Sequence, residues 1–181
     1  MKWPPPGGGQ HDWDGVVIGL SASGYHFYGA PDEGLEGHYG ECVIVFVCTG
    51  NICRSPMAEA IATQLEKRHG GLVQFASAGT YASEGHGATR QAIEAAAEIG
   101  VAMRWHRSRQ LTAEVVADAD LLVALDQEHV DYIAEHFPEA IVELLDSVPD
   151  PYGLSGAVYR QVRDQIAVAL EKRAGNWLSA G

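Results

Sequence analysis

The apolar residues of this chain fall into short solid runs separated by longer periodic stretches, and the first such pair sets the pattern. Val43, Ile44, Val45, Phe46 and Val47 are five consecutive β-branched or aromatic residues, which read as a short buried strand. A small polar loop follows, and then Pro56-Met57-Ala58-Glu59-Ala60-Ile61-Ala62 opens a helix expected to run to about residue 69. Its proline falls in the first turn, where a missing N–H costs nothing. Residues 72–77 read as a second strand. A helix over about 88–99 places Ala92, Ile93, Ala96 and Ile99 on one face, with Gly100 as its cap. Thr112 is the N-cap of a short helix holding Val115 and Val116. Residues 119–126 form a buried strand ending in Asp126, residues 127–137 a helix, and 141–145 a fourth strand. Over 159–173, Val162, Ile166, Ala169 and Leu170 mark the apolar face of a long amphipathic helix.

Strands alternating with helices in this way predict an α/β fold: a four-stranded parallel sheet flanked by helices, with right-handed crossovers. In such sheets the functional site lies beyond the carboxyl ends of the strands. The Val43–Val47 run delivers the chain to that end at Cys48. Residues 1–42 behave differently. Pro4-Pro5-Pro6-Gly7-Gly8-Gly9 is low-complexity, and 29–40 is glycine-rich, polar and acidic. Only residues 16–20 could form a short strand there. The expected organisation is a flexible Gly/Pro-rich extension over 1–42 and one folded domain over 43–181. His11, His26 and His38 are too scattered for a metal site, and Cys42 precedes the strand without an evident role.

The loop between the first strand and helix carries chemistry. In Cys48-Thr49-Gly50-Asn51-Ile52-Cys53-Arg54-Ser55, a strand end, a tight loop and a helix N-terminus meet. Successive backbone N–H groups can point inward there, and the helix dipole adds partial positive charge, so the arrangement holds an anion. A thiol is nucleophilic only as thiolate, a form favoured by a helix N-terminus and a neighbouring cation. Arg54 can grip two oxygens of a phosphate with its planar fork. Ser55 offers a hydroxyl to the sulfur, and Gly50 and Asn51 tolerate the left-handed backbone such a loop needs. Cys48 is therefore a candidate nucleophile for a covalent phosphocysteine mechanism.

The run Val47 to Ala60 resembles the signature of the low-molecular-weight protein tyrosine phosphatase family, and the likeness extends from Val43 to Leu178. Ser77-Ala78-Gly79-Thr80 and His106-Arg107-Ser108-Arg109-Gln110-Leu111 are further pieces of it. Asp150-Pro151-Tyr152, in a loop after the fourth strand, is similar to the family's general-acid loop. The resemblance implies Cys48, Arg54 and Asp150 as catalytic residues. It also implies phosphate binding by Thr49, Gly50, Asn51, Ile52, Cys53 and Ser55, and a substrate cleft walled by Tyr152 and Thr49. Breaking a phosphate ester needs a proton on the leaving oxygen, and a carboxylic acid at Asp150 would supply it. No cofactor or metal is expected. Asp126 and Asp146 stand outside the catalytic set, and His129 and His136 read as satisfied or solvated.

Charge and cysteines narrow the partners. A net charge of −12 argues against nucleic acid or an anionic membrane surface. No apolar run approaches a membrane span. Three cysteines, two of them inside the loop, suit a reducing, cytoplasmic setting. Under oxidation Cys53 could trap Cys48 as a reversible disulfide. The implied partners are phosphorylated protein substrates, and the expected state is a monomer. Phosphotyrosine is the leading substrate. Phosphoarginine is the alternative, because the family includes protein-arginine phosphatases: Thr49 follows the nucleophile, residues 81–85 lack a tryptophan that would line a tyrosine cleft, Gly153 and not a second aromatic follows Tyr152, and the helix start over 159–164 also resembles that branch. An arsenate reductase would need resolving cysteines, and none follows Cys53. A binding module without catalysis would have lost the nucleophile, the arginine or the acid, and all three types are present.

Overall fold

The computed structural model describes the backbone of residues 17–21, 24–28, 42–67 and 73–178, and side chains within 42–67 and 73–173. Strands β1 (Val17–Ser21) and β2 (Gly24–Tyr28) form an antiparallel hairpin, one residue on from the expected run. Cys42, the last residue of the 1–42 extension expected to be flexible, belongs to the main sheet, and the remaining residues of that extension lie outside the described residues. The main body then follows as β3 (Cys42–Cys48), α1 (Arg54–Glu66), β4 (Val73–Gly79), α2 (Arg90–Glu98), α3 (Ala113–Ala117), β5 (Leu121–Ala124), α4 (Gln127–His136), β6 (Val142–Leu144) and α5 (Gly156–Leu178). Its sheet is parallel throughout, in the order β4-β3-β5-β6.

The period of two along β3 divides the core. Ile44, Phe46 and Cys48 point to one face, against Met57 and Ile61 of α1, Ala92 and Ala96 of α2, and Tyr159, Ile166 and Leu170 of α5. Val45 and Val47 point to the other, against Leu111, Leu122 and Ile133 of α4. The central strand is thus buried on both sides, which is why it reads as an unbroken apolar run. Cys48, last on the first face, ends up under α1 and α5 at 2 % exposure.

Several boundaries differ from expectation for local reasons. Cys42 is the first residue of β3 and does not precede it. Burial and the neighbouring Asp120 charge push its thiol up to about 12. The Asp120 carboxylate also accepts the Val43 N–H at 2.8 Å. Strand β4 runs on to Gly79 because the pairing of Val47 with Ala78 and Cys48 with Gly79 continues to the sheet's end. Helix α2 begins at Arg90, since the Thr89 hydroxyl accepts the Ala92 N–H and caps it, and Gly100 (φ 76°) closes it. Helix α5 starts at Gly156, where the Ser155 carbonyl accepts from Val158 and Tyr159.

Gly79 joins this sheet to the loop above it. Its N–H donates to Arg109 O at 3.0 Å and its carbonyl accepts from Leu111 at 2.8 Å. A Cβ there would lie 2.5 Å from Thr49 O and 2.9 Å from Asn51 N, both rigid backbone atoms. Gly79→Ala should therefore lower the unfolding free energy by about 1–3 kcal/mol, the range of an overpacked core. Urea denaturation checks it; unchanged stability would mean that the loop can lift off the strand end freely.

Candidate active site

The loop of residues 48–54 must turn a strand into a helix within one small circle. The left-handed turn this requires falls on Asn51 (φ 52°), the one non-glycine residue with positive φ among those described, and not on Gly50. Asn51 is fully buried. Its amide nitrogen donates to Ser55 Oγ and Ser77 Oγ, each at 2.9 Å. Its Oδ1 accepts the Arg109 N–H at 2.9 Å, and His106 Nε2 donates to its carbonyl at 2.7 Å. Both the β4 end and the 106–111 segment are consumed in holding this one residue.

That network also places a hydroxyl at the sulfur. Ser77 gives its hydroxyl hydrogen to Glu59 Oε2 at 2.5 Å. Ser55 Oγ accepts from Asn51 and lies 3.0 Å from Cys48 Sγ and 3.3 Å from Ala78 O, so its hydrogen can turn to either. A thiolate at Cys48 would draw it as the stronger acceptor. Helix α1 begins directly after Cys53, and no side chain caps it. Its first-turn N–H groups are therefore available to an anion in the loop.

Arg54 is 2 % exposed, an unusual place for a cation, and its guanidinium is accordingly gripped from several sides. Nη1 donates to Val148 O at 3.2 Å; Nη2 donates to Thr49 Oγ1 at 3.2 Å and Asp150 Oδ2 at 3.0 Å. Glu128 Oε1 stands 3.8 Å from Nη2. Nε is buried with no partner among the described residues. Asp150 is thus brought against Arg54, while its Oδ1 accepts the Tyr152 N–H at 3.1 Å. Its side chain remains half exposed, free to reach something entering from solvent.

The remaining expected positions are distributed as follows. Gly50 and Ile52 form the outer turn of the loop, with Ile52 half buried and its carbonyl accepting the Thr89 N–H. Cys53 Sγ lies 3.3 Å from Tyr159 OH and 3.6 Å from Thr89 Oγ1, and burial raises its pKa. Tyr152 is exposed. Thr49 also faces inward: its hydroxyl is 3.0 Å from His129 Nε2 and 3.4 Å from Glu128 Oε1. Asp146 accepts from Ser147 and Gln165 away from the loop, and the Asp126 carboxylate makes no capping bond at the start of α4. His136 is exposed and stacked on Tyr132.

Sequence reasoning missed four participants. His129 is not simply satisfied or solvated: it is 1 % exposed, touches Thr49, and its Nδ1 has no partner among the described residues. Burial, then the Arg54 charge, pull its pKa down to about 4. Glu128 borders Arg54, Tyr159 backs Cys53, and Tyr81 stands on the rim. The Tyr81 N–H donates to Thr49 O at 2.9 Å, and its ring packs edge-on against Tyr132. A polar residue in the first turn after a strand was the available signal for Glu128 and His129, but spacing alone does not tell which way it points.

The chain is similar in sequence and in fold to known phosphatases. The chain is 39% identical over 141 residues to a protein-arginine-phosphatase of Bacillus subtilis (strain 168), covering 72% of this chain and 93% of that one. It is 34% identical over 142 residues to the low molecular weight protein-tyrosine-phosphatase Etp of Escherichia coli (strain K12), covering 74% and 90%. Among solved structures, a Cys-to-Ser mutant of the YwlE arginine phosphatase with a phosphorylated active-site serine superposes at TM-score 0.71. That structure shares 36% identity and covers 77% of this chain and 99% of its own. Residues 43–180 match the model of the low molecular weight phosphotyrosine protein phosphatases, and the chain belongs to that family.

Proposed function

We propose that this protein hydrolyses phosphotyrosine on protein substrates, with Cys48 as nucleophile, Arg54 and the loop N–H groups as the phosphate cradle, and Asp150 as general acid and base. The observation that carries the reading is the buried Arg54. It joins the Cys48 loop to Asp150, and its Nε lacks any partner among the described residues. A phosphate in the loop would occupy that Nε and compete for the Nη2 now shared with Asp150. The carboxyl group is then released toward the leaving oxygen.

The chemistry has two steps. The Cys48 thiolate attacks phosphorus and forms an S–P bond; the P–O bond to the leaving group breaks, and Asp150 as an acid supplies the proton that oxygen needs. Asp150, now a carboxylate, takes a proton from water as that water attacks the phosphocysteine. The S–P bond breaks, inorganic phosphate leaves, and the thiolate returns. Ser55, aimed at Sγ, stabilises the negative sulfur at both ends of the cycle. Asn51, Ile52, Cys53 and Gly50 contribute loop backbone to the cradle.

Two of the features that suggest phosphoarginine weigh less beside this geometry. The Thr49 hydroxyl is taken up by Arg54 and His129, so it is not free to orient a guanidinium. Tyr81 and Tyr152 are both largely exposed and offer aromatic faces to a phenyl ring. Half-buried Ile52 adds an aliphatic flank with no acceptor for guanidinium N–H groups. Phosphoarginine remains the second reading, favoured by the name of the Bacillus subtilis relative and by the carboxylates of Glu128 and Asp150 at the mouth. The phosphorylated serine in the YwlE mutant structure supports covalent transfer to the position of Cys48.

Residues 43–181 form the catalytic domain in this reading, with 1–42 as an extension to it. Among the described residues no helix is long and apolar enough to cross a membrane. The three cysteines are unpaired. A monomer in the cytoplasm, where a thiolate survives, fits these properties.

Asp150→Asn should lower kcat on a phosphotyrosine peptide by roughly a hundred- to ten-thousand-fold, the usual worth of a positioned acid. KM should change far less; a variant with normal kcat would remove Asp150 from the mechanism. On one peptide series, kcat/KM should rank phosphotyrosine above phosphoarginine and both above phosphoserine. The reverse order of the first two would make this a protein-arginine phosphatase.

A further inference from the structure

We propose that His129 is a positioning residue for the phosphate-binding arginine, acting through the Thr49 hydroxyl; the inference rests on the phosphate-site reading above. Arg54 has three acceptors. The Asp150 carboxylate must leave when it turns to the substrate, which leaves the Val148 carbonyl and Thr49 Oγ1 as lasting guides of the fork. A carbonyl is fixed by the backbone. A threonine hydroxyl is not: it is useful to Arg54 only when its lone pair faces the guanidinium and its hydrogen points elsewhere.

His129 and Glu128 together hold it so. His129 enters from the first turn of α4, where its N–H bonds to Asp126 O, and its ring is almost wholly enclosed. Nε2 lies 3.0 Å from Thr49 Oγ1, and the Thr49 hydroxyl donates to Glu128 Oε1 at 3.4 Å. The same carboxylate oxygen is 3.2 Å from Nε2, so the ring proton is assigned to Nε2: it donates to the Thr49 oxygen, which also accepts from Arg54, and fixes where that oxygen sits. The low pKa of His129 keeps the ring neutral, which leaves Nδ1 without a hydrogen, in keeping with its lack of a partner among the described residues.

A purely structural origin fits poorly. A buried Nδ1 with no partner costs stability, and an apolar side chain of similar size would fill the place without that penalty. What the imidazole offers that an apolar chain lacks is Nε2, and Nε2 faces Thr49. Glu128, 3.2 Å from the same Nε2 and two-thirds exposed, lies on the outer side of this relay.

The test is a double-mutant cycle read as Kd for inorganic phosphate by calorimetry. His129→Leu and Thr49→Val should each weaken phosphate binding about tenfold, the worth of one charge-assisted hydrogen bond. The double variant should be no weaker than either, because both remove one chain. His129→Gln, whose amide can donate near the Nε2 position, should recover most of the affinity. On substrate, KM should rise in the single variants while kcat falls much less. Multiplicative losses in the double variant, or a His129→Gln no better than His129→Leu, would overturn the relay. If His129→Leu does not fold, Thr49→Ser carries the test: wild-type phosphate affinity supports the relay, and a loss equal to that of Thr49→Val overturns it. Failure of the unaltered protein to bind phosphate would instead sink the phosphate-site reading itself.

Discussion

One residue in a left-handed conformation, sealed from solvent, governs this structure. Strand β3 must hand the chain to α1 through a loop whose N–H groups converge, and that reversal needs positive φ at Asn51. For a non-glycine residue the conformation costs on the order of 1 kcal/mol. It persists because Ser55, Ser77, the Arg109 N–H and His106 each bond it. The same bonds explain the neighbourhood. The 106–111 segment pairs with the end of edge strand β4 and so reaches Asn51, β4 extends to Gly79 to deliver Ser77 beside it, and Gly79 lacks a side chain because the loop lies on top of it.

The second constraint is a buried cation in a strongly acidic chain. At net −12 the protein's general field repels phosphate, so the attraction must be local and dry. Enclosing Arg54 achieves that, at a desolvation cost offset by Val148, Thr49 and Asp150. Those partners come from the β6–α5 connection and from the loop itself, which ties the arginine's setting to the sheet order. In the proposed mechanism the nucleophile, the cradle and the acid are thereby linked through one side chain, and function would depend on the placement of that fork.

Much of this was legible in the sequence. The unbroken apolar run of β3 followed from burial on both faces, and the spacing from Cys48 to Arg54, with Pro56 behind it, located the anion loop. Asp150, which the structure sets against Arg54, stood out only beside that loop, since an Asp before Pro is by itself an ordinary turn. The remainder was hidden for physical reasons. Apolar periodicity places α4 against the sheet but does not say that His129 points at Thr49 and His136 at solvent. The hydroxyl of Thr49 looks the same in sequence whether it faces substrate or Arg54, and the structure turns it inward. Tyr81 does not read as a rim residue until the Thr49 carbonyl is seen to hold its backbone. Strand ends such as Cys42 and Gly79 are set by the partner strand's register, which no single run reveals.

The most direct test of the account is whether the enzyme passes through a phosphocysteine. Mixing the protein with a phosphotyrosine peptide, quenching in acid within the first turnovers and measuring intact mass should reveal one added phosphoryl group. Peptide mapping should place it on Cys48, and Cys48→Ala should carry none. Turnover of substrate with no covalent phosphate at any quench time would mean that water attacks phosphorus directly, and the central role given to Cys48 would be wrong.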